Sequence, residues 1–283
     1  MKKLLIWLPG MLSMLAACTE AVEIPARAPE KQSPVRVELR LTTEQQQAVT
    51  RAMDENSIRD VNLYLYGDTE YHFYFPSVSS PLVFNVLPGN YRSYAIANAG
   101  QDLGDKNAFK IQFYETAVDV MESSDAIPMT DRGTLAVDGA GRCTPSSLRV
   151  TRSAAKIAYT IEVADAVAPS LRLRSVQFCN LPLTIRPFDS GSISSTVEAN
   201  YYDGEAMPVG NERRTAGTAY LFENLQGSVD TITDQKDKCP ENAPSCATYL
   251  RILAERSADK ALVEYIVYPG ENNTSDFNVR RNT

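Results

Sequence analysis

"VRVELRL", residues 35–41, decides the fold. Val35, Val37, Leu39 and Leu41 fall on one side of an extended chain; Arg36, Glu38 and Arg40 fall on the other. Successive side chains of a strand point to opposite faces, so this is a strand with one buried and one wet face. The same period recurs. "RDVNLYLYG" at 59–67 turns Val61, Leu63 and Leu65 inward, and "YHFYF", "PLVFNVL" and "YRSYAIANA" follow between Pro, Gly and Ser residues. Further on, "SAAKIAYTIEV" puts Ile157, Tyr159, Ile161 and Val163 on one face, and "TAYLFENLQG", "TYLRILAE" and "ALVEYIVYPG" continue the pattern. Short alternating runs broken by turn residues predict an all-β chain of sandwich domains with long loops.

"AGRCTPSS" at 140–147 reads as a boundary. It divides the chain into an N-terminal sandwich, 35–142, and a C-terminal sandwich, 148–283. The 283 residues suffice for two domains of roughly 100–150 residues each. "FKIQFYETAVDVMESSD", 109–125, departs from period two and predicts one short helix at an end of the first sandwich. "TTEQQQAVTRAMDENSI", 42–58, is polar and reads as a solvated helix or a long loop, either of which leaves Arg51 accessible.

The N-terminus has three parts. Lys2 and Lys3 are followed by an apolar run from Leu4 to Leu15 and then by Ala16, Ala17 and Cys18. A run this short cannot span a bilayer, which needs roughly 20 residues, and the order is that of an export signal. "Leu15-Ala16-Ala17-Cys18" resembles a bacterial lipobox, which makes 1–18 a lipoprotein signal peptide with Cys18 the lipidated residue. Residues 19–34, with Pro25, Pro29 and Pro34, read as a flexible spacer.

Net charge is -7, which argues against a nucleic-acid partner. The single histidine, His72, rules out any multi-histidine metal centre, and in "TEYHFYFP" it reads as an exposed or half-exposed strand residue. No glycine-rich phosphate loop and no EF-hand ladder is present. No catalytic residue, metal ligand or cofactor is expected, and the chain is not read as an enzyme. Export permits disulfides. Cys239 and Cys246 flank the turn-rich "PENAPS" and form the candidate pair, while the pairing of Cys143 and Cys179 stays open.

Several segments resemble the fimbrillin-like lipoproteins of Bacteroidales, the subunits and anchors of type V pili. They are "TRAMDENSIRDVNLYLYG" at 50–67, "VLPGNYRSYAIANAG" at 86–100, "AAKIAYTI" at 154–161, "LFENLQG" at 221–227 and "YPGENNTSDFNVRRNT" at 268–283. The resemblance implies two tandem transthyretin-like β-sandwiches and a non-catalytic role as a fimbrial subunit or a tip or accessory adhesin. It also implies a mechanism. An arginine-specific protease cuts after the first strand, here best at Arg51 and less well at Arg59. The strand carrying Val35, Val37, Leu39 and Leu41 is lost, and a neighbouring subunit's strand fills the groove. The implied partners are other pilus subunits, the outer membrane through lipid on Cys18, and a host or bacterial surface receptor; the implied location is the outer membrane and cell surface. Family members continue past the Arg-Arg-Asn with one more strand that acts as donor. This chain stops at Thr283, so the second domain is expected to be truncated. Two other roles stay open: a pilus anchor that keeps its lipid and first strand, and a glycan-binding surface lipoprotein. The only tryptophan, Trp7, lies in the signal, which counts against the latter.

Overall fold

The alternating runs are strands in the computed structural model, which describes residues 32–43, 56–118, 126–188 and 194–283. In β1 (Val35–Thr43), Val37, Leu39 and Leu41 are buried while Arg36, Glu38 and Arg40 are exposed. β2 (Val61–Tyr66), β3 (Glu70–Phe75), β4 (Leu82–Val86) and β5 (Gly89–Ala97) follow, then a five-residue helix α1 (Ala108–Gln112). β6 (Thr116–Ala117), β7 (Met129–Val137), β8 (Cys143–Thr144) and β9 (Ser147–Arg152) complete the first half. The first sheet runs β3-β2-β5-β7-β9-β1-β4, with β8 also on β7. Its pairings are antiparallel except β1 with β9, which is parallel.

The second half holds β10 (Ala154–Glu162), β11 (Leu171–Cys179), β12 (Leu181–Pro182), β13 (Thr184–Ile185), β14 (Tyr201–Tyr202), β15 (Met207–Pro208), β16 (Arg214–Phe222), β17 (Tyr249–Arg256) and β18 (Leu262–Val267). A four-stranded sheet, β15-β11-β17-β18, faces a pair, β10-β16. Each half has its own apolar core. One is built on Val37, Leu39, Leu63, Phe84 and Leu135, the other on Val176, Phe178, Leu221, Ile252 and Ala254. The halves meet where β6 pairs with β13, where Ile127, Ala154, Ile185 and Phe222 cluster, and where Phe188 stands edge-on to Tyr94 at 5.1 Å.

Four details depart from the sequence reading. Residues 140–147 form no linker. Asp138 Oδ1 accepts from the backbone N–H of Ala140 and Arg142, closing a turn, and β8 folds back onto β7. The first sheet therefore continues through Arg152, and the second half opens at β10. Gly, Pro and Ser mark a tight hairpin as readily as a boundary. The helix is shorter than expected: Asn107 caps it by accepting from Lys110 N–H, and by Thr116 the chain is extended again. β2 is buried on both faces, because the loop after Gly100 lies over its outer side. Tyr64 donates to the Gly104 carbonyl at 2.8 Å, and Asn62 to that of Gln101 at 2.9 Å.

His72 lies beneath the same loop. Its side chain is 9% exposed, stacks on Tyr64 at 4.3 Å, meets Asn62 Oδ1 at 3.1 Å, and has Asp102 and Asp105 within 3.7 Å. The sequence reading left it exposed or half-exposed, because the covering loop lies some thirty residues on, where local pattern cannot see it.

Candidate functional site

β1 is the one element that links β4 to β9 in the first sheet. Its first half pairs antiparallel with β4, setting Val35 opposite Val86, Val37 opposite Phe84 and Leu39 opposite Leu82. Its second half pairs parallel with β9, setting Leu41 opposite Leu148 and Thr43 opposite Val150. The hand-over is pinned where Arg40 N–H donates to the Ser146 carbonyl at 3.1 Å and the Thr42 hydroxyl to that of Leu148 at 3.1 Å. The slot is thus walled by Leu82, Phe84 and Val86 on one side and by Leu148 and Val150 on the other, with Leu63, Leu65 and Phe73 in the same core.

Val37 and Leu39 are wholly buried, Leu41 is 8% exposed, and Val35 packs half-buried at the rim. Burying an aliphatic side chain contributes roughly 1.5–3 kcal/mol, so the inward face of β1 contributes on the order of 5–10 kcal/mol before ordering costs. The outer face contributes little. Arg36 and Glu38 form a 3.1 Å ion pair in the open, worth at most about 1 kcal/mol. Sequence reasoning found the four inward side chains of β1 but missed the second wall. "SLRVTR", residues 147–152, alternates as cleanly, yet its partner is more than a hundred residues away.

One turn braces the strand. Gly141 has φ +78°, and a Cβ there would lie 2.1 Å from the Arg36 carbonyl oxygen. We expect Gly141→Ala to push β1 off its seat and lower stability by about 1–3 kcal/mol, read as a drop in urea midpoint.

Arg51 and Cys18 lie outside the described residues. Arg59, the weaker protease candidate, does not. Its backbone N–H donates to Asn98 Oδ1 at 2.8 Å, and the Asp60 carbonyl accepts from Asn98 N–H at 3.0 Å. The buried Asp60 carboxylate accepts from Ala99 and Gly100 N–H, and burial raises its pKa above the usual carboxylate value. The peptide bond after Arg59 is therefore held on both sides, which opposes the extended, freed backbone a protease needs.

Cys143, Cys179, Cys239 and Cys246 are all free thiols, so the expected Cys239–Cys246 bridge is absent. Cys246 is buried, whereas Cys239 sits half-buried with its sulfur 3.5 Å from Asn242 Nδ2. The spacing allowed a bridge, but each sulfur has a local neighbour instead, Asn242 for Cys239 and Ser245 for Cys246. Burial, with Asp203 beside it, pushes the Cys179 thiol up to about 11, which keeps it protonated and inert. Among the described residues, no three His, Cys, Asp or Glu side chains converge as a metal site.

Residues 219–283 match a family described as a domain of unknown function, DUF4906. No curated protein matches the chain in sequence. Solved structures do match in fold. A fimbrilin of Porphyromonas gingivalis superposes with a TM-score of 0.57 at 13% identity, covering 88% of this chain and 87% of that one. A candidate cell adhesion protein of Parabacteroides distasonis gives 0.56 at 10% identity, covering 88% and 90%. Another, of Bacteroides eggerthii, gives 0.54 at 13% identity, covering 83% and 79%. The chain shares the two-sandwich, fimbrillin-like fold of these Bacteroidales proteins.

Proposed function

We propose that this chain is a non-catalytic structural protein of the cell surface, a fimbrial subunit or a tip or accessory adhesin, assembled by strand addition. Cys18 carries the lipid that delivers it to the outer membrane. Each buried methylene of an acyl chain contributes about 0.8 kcal/mol, so two or three chains hold the protein until the peptide itself is cut. Cleavage after Arg51 then frees β1 with its lipid. The emptied slot between β4 and β9 receives a strand from a neighbouring subunit.

The observation that carries this reading is the placement of β1. It carries its apolar face in the core, pairs with β4 along its first half and with β9 along its second, and is the first of the described strands, ahead of Arg51 in the chain. Removing it leaves a slot that already has the shape and chemistry of a strand. The fold shared with a fimbrilin supports the same role. The test is Arg51→Lys, which keeps the charge but not the recognition of an arginine-specific protease. The variant is expected to reach the surface folded and lipidated, and to stay out of fibres. Unchanged incorporation into fibres would overturn cleavage at this site.

A further inference from the structure

A cleft of about 570 Å³ opens beside the pairing of β6 with β13. Its size falls within the range of small-molecule sites, roughly 300–1,000 Å³. Glu115, just ahead of β6, comes from the first half, and every other lining residue comes from the second. The charges in the lining answer one another. Glu115 Oε1 accepts from both Nε and Nη2 of Arg186 at 2.8 Å, and Glu223 holds Arg281 in the more buried pair. Burial pushes the Tyr201 phenol up to about 12, so it stays protonated. The cleft therefore carries two carboxylates, two guanidiniums and no net charge, and offers little field to either an anion or a cation. It is not an apolar groove either, since the aliphatic lining is only Pro182 and Ile185, both buried.

The rim is fixed before any ligand arrives. Ser194 Oγ accepts from Leu225 N–H at 2.8 Å, and Ser194 N–H donates to the Leu225 carbonyl at 2.8 Å. Ser195 Oγ accepts from Val197 N–H at 3.1 Å and from Asn200 Nδ2 at 2.7 Å. The Asn200 carbonyl accepts from Leu183 N–H at 2.9 Å, and the Tyr201 hydroxyl donates to the Ser195 carbonyl and accepts from Gln226 Nε2 at 3.0 Å. These bonds leave a mixed set of groups to spare. Both serine hydroxyls are used as acceptors, and among the described residues neither O–H has an acceptor of its own. Likewise among the described residues, Asn200 Oδ1 and Glu115 Oε2 have no donor, and Arg186 Nη1 has no acceptor. Spare donors and spare acceptors thus stand side by side.

We propose that this cleft is a binding site for a neutral saccharide, distinct from the β1 slot. Three features select that class together. A lining without net charge favours an uncharged ligand. A lining with little aliphatic surface disfavours an apolar one. Interleaved donors and acceptors match hydroxyl groups, each of which both donates and accepts. The pre-set rim lowers the ordering cost of binding. The spare groups are wet in the free protein, so each new bond replaces one to water, and a small sugar is expected to bind with a Kd of about a millimolar. The inference does not rest on strand addition: a chain that builds fibres but ignores sugars, or binds sugars but stays out of fibres, separates the two readings.

The test is saturation-transfer NMR on the full chain in detergent, with lactose, cellobiose, mannobiose and chitobiose as probes and sulfated lactose as the charged counterpart. Transfer to one or more of the neutral sugars is expected, with an affinity that added salt leaves unchanged. Asn200→Leu removes an acceptor and fills part of the cleft from the second half, and Glu115→Gln alters the wall given by the first. Each is expected to weaken binding about fivefold or more, the scale of a lost hydrogen bond. Asn200 is exposed and Glu115 half-exposed, so both variants should keep the parent's urea midpoint. Leu262→Ser, at a side chain outside the cleft and 66% exposed, should bind as the parent does. Failure of all four neutral sugars to bind would overturn the proposal. So would binding that ignores both cleft variants, or tighter binding of the sulfated sugar than of lactose.

Discussion

A chain that begins at Ala52 is expected not to hold its first sandwich, and to recover it when a peptide of residues 33–43 is supplied. Losing β1 strips the core of Val37, Leu39 and Leu41 and uncouples β4 from β9. The lost burial, on the order of 5–10 kcal/mol, is as large as the whole stability of an ordinary domain, about 5–15 kcal/mol. Two backbone ladders go with it. The truncated chain should therefore bind dyes that report exposed apolar surface and lose its cooperative unfolding transition. The peptide should restore both, and the same peptide carrying Leu39→Asp should not, because it would bury a carboxylate in an apolar site. A truncated chain that unfolds as cooperatively as the full one would show that the slot closes by itself.

The second large effect is expected near the junction of the two halves, where Pro187 and Arg152 lie. Arg281 is held by Glu223 through its backbone N–H at 3.2 Å and its Nε at 2.9 Å, while Nη1 donates to the Pro187 carbonyl. The two side chains are only 14% and 11% exposed. Arg281→Ala leaves Glu223 largely buried without its partner, which costs about 3–5 kcal/mol. It also loosens the terminal Asn282, which bonds Ala154 and receives Arg152 Nε at 3.2 Å. The expected result is a lower urea midpoint carried by the second sandwich. The double variant Arg281→Met with Glu223→Gln removes both charges and should regain much of the loss. A single variant as stable as the parent would show that water reaches the pair.

How much of this was legible in the sequence follows from how local each signal is. β1 could be read residue by residue because its four inward side chains repeat at the period of a strand and nothing else explains them. The same rule found Val61, Leu63 and Leu65, the side chains that β2 turns into the first core. It could not pair them: β1 touches β9 across more than a hundred residues, and no local pattern encodes a parallel partner at that distance. It also misjudged elements whose surroundings come from afar. His72 reads in sequence as exposed or half-exposed, but the loop at 101–107 covers it and leaves its side chain 9% exposed. Residues 140–147 have the composition of a linker and form a hairpin instead. The half-exposed apolar residues of β18 look like an ordinary buried strand in sequence. In the structure Tyr265 is 46% and Val267 51% exposed, which no local pattern encodes.

The proposed function rests on one claim, that β1 is a removable strand and that the bond after Arg51 is where it comes away. N-terminal sequencing of the chain within assembled surface fibres tests this most directly. The account predicts a start at Ala52. A blocked, acylated start at Cys18 in the assembled protein would contradict it, and would make β1 a permanent part of the first sandwich and the lipid a final mooring.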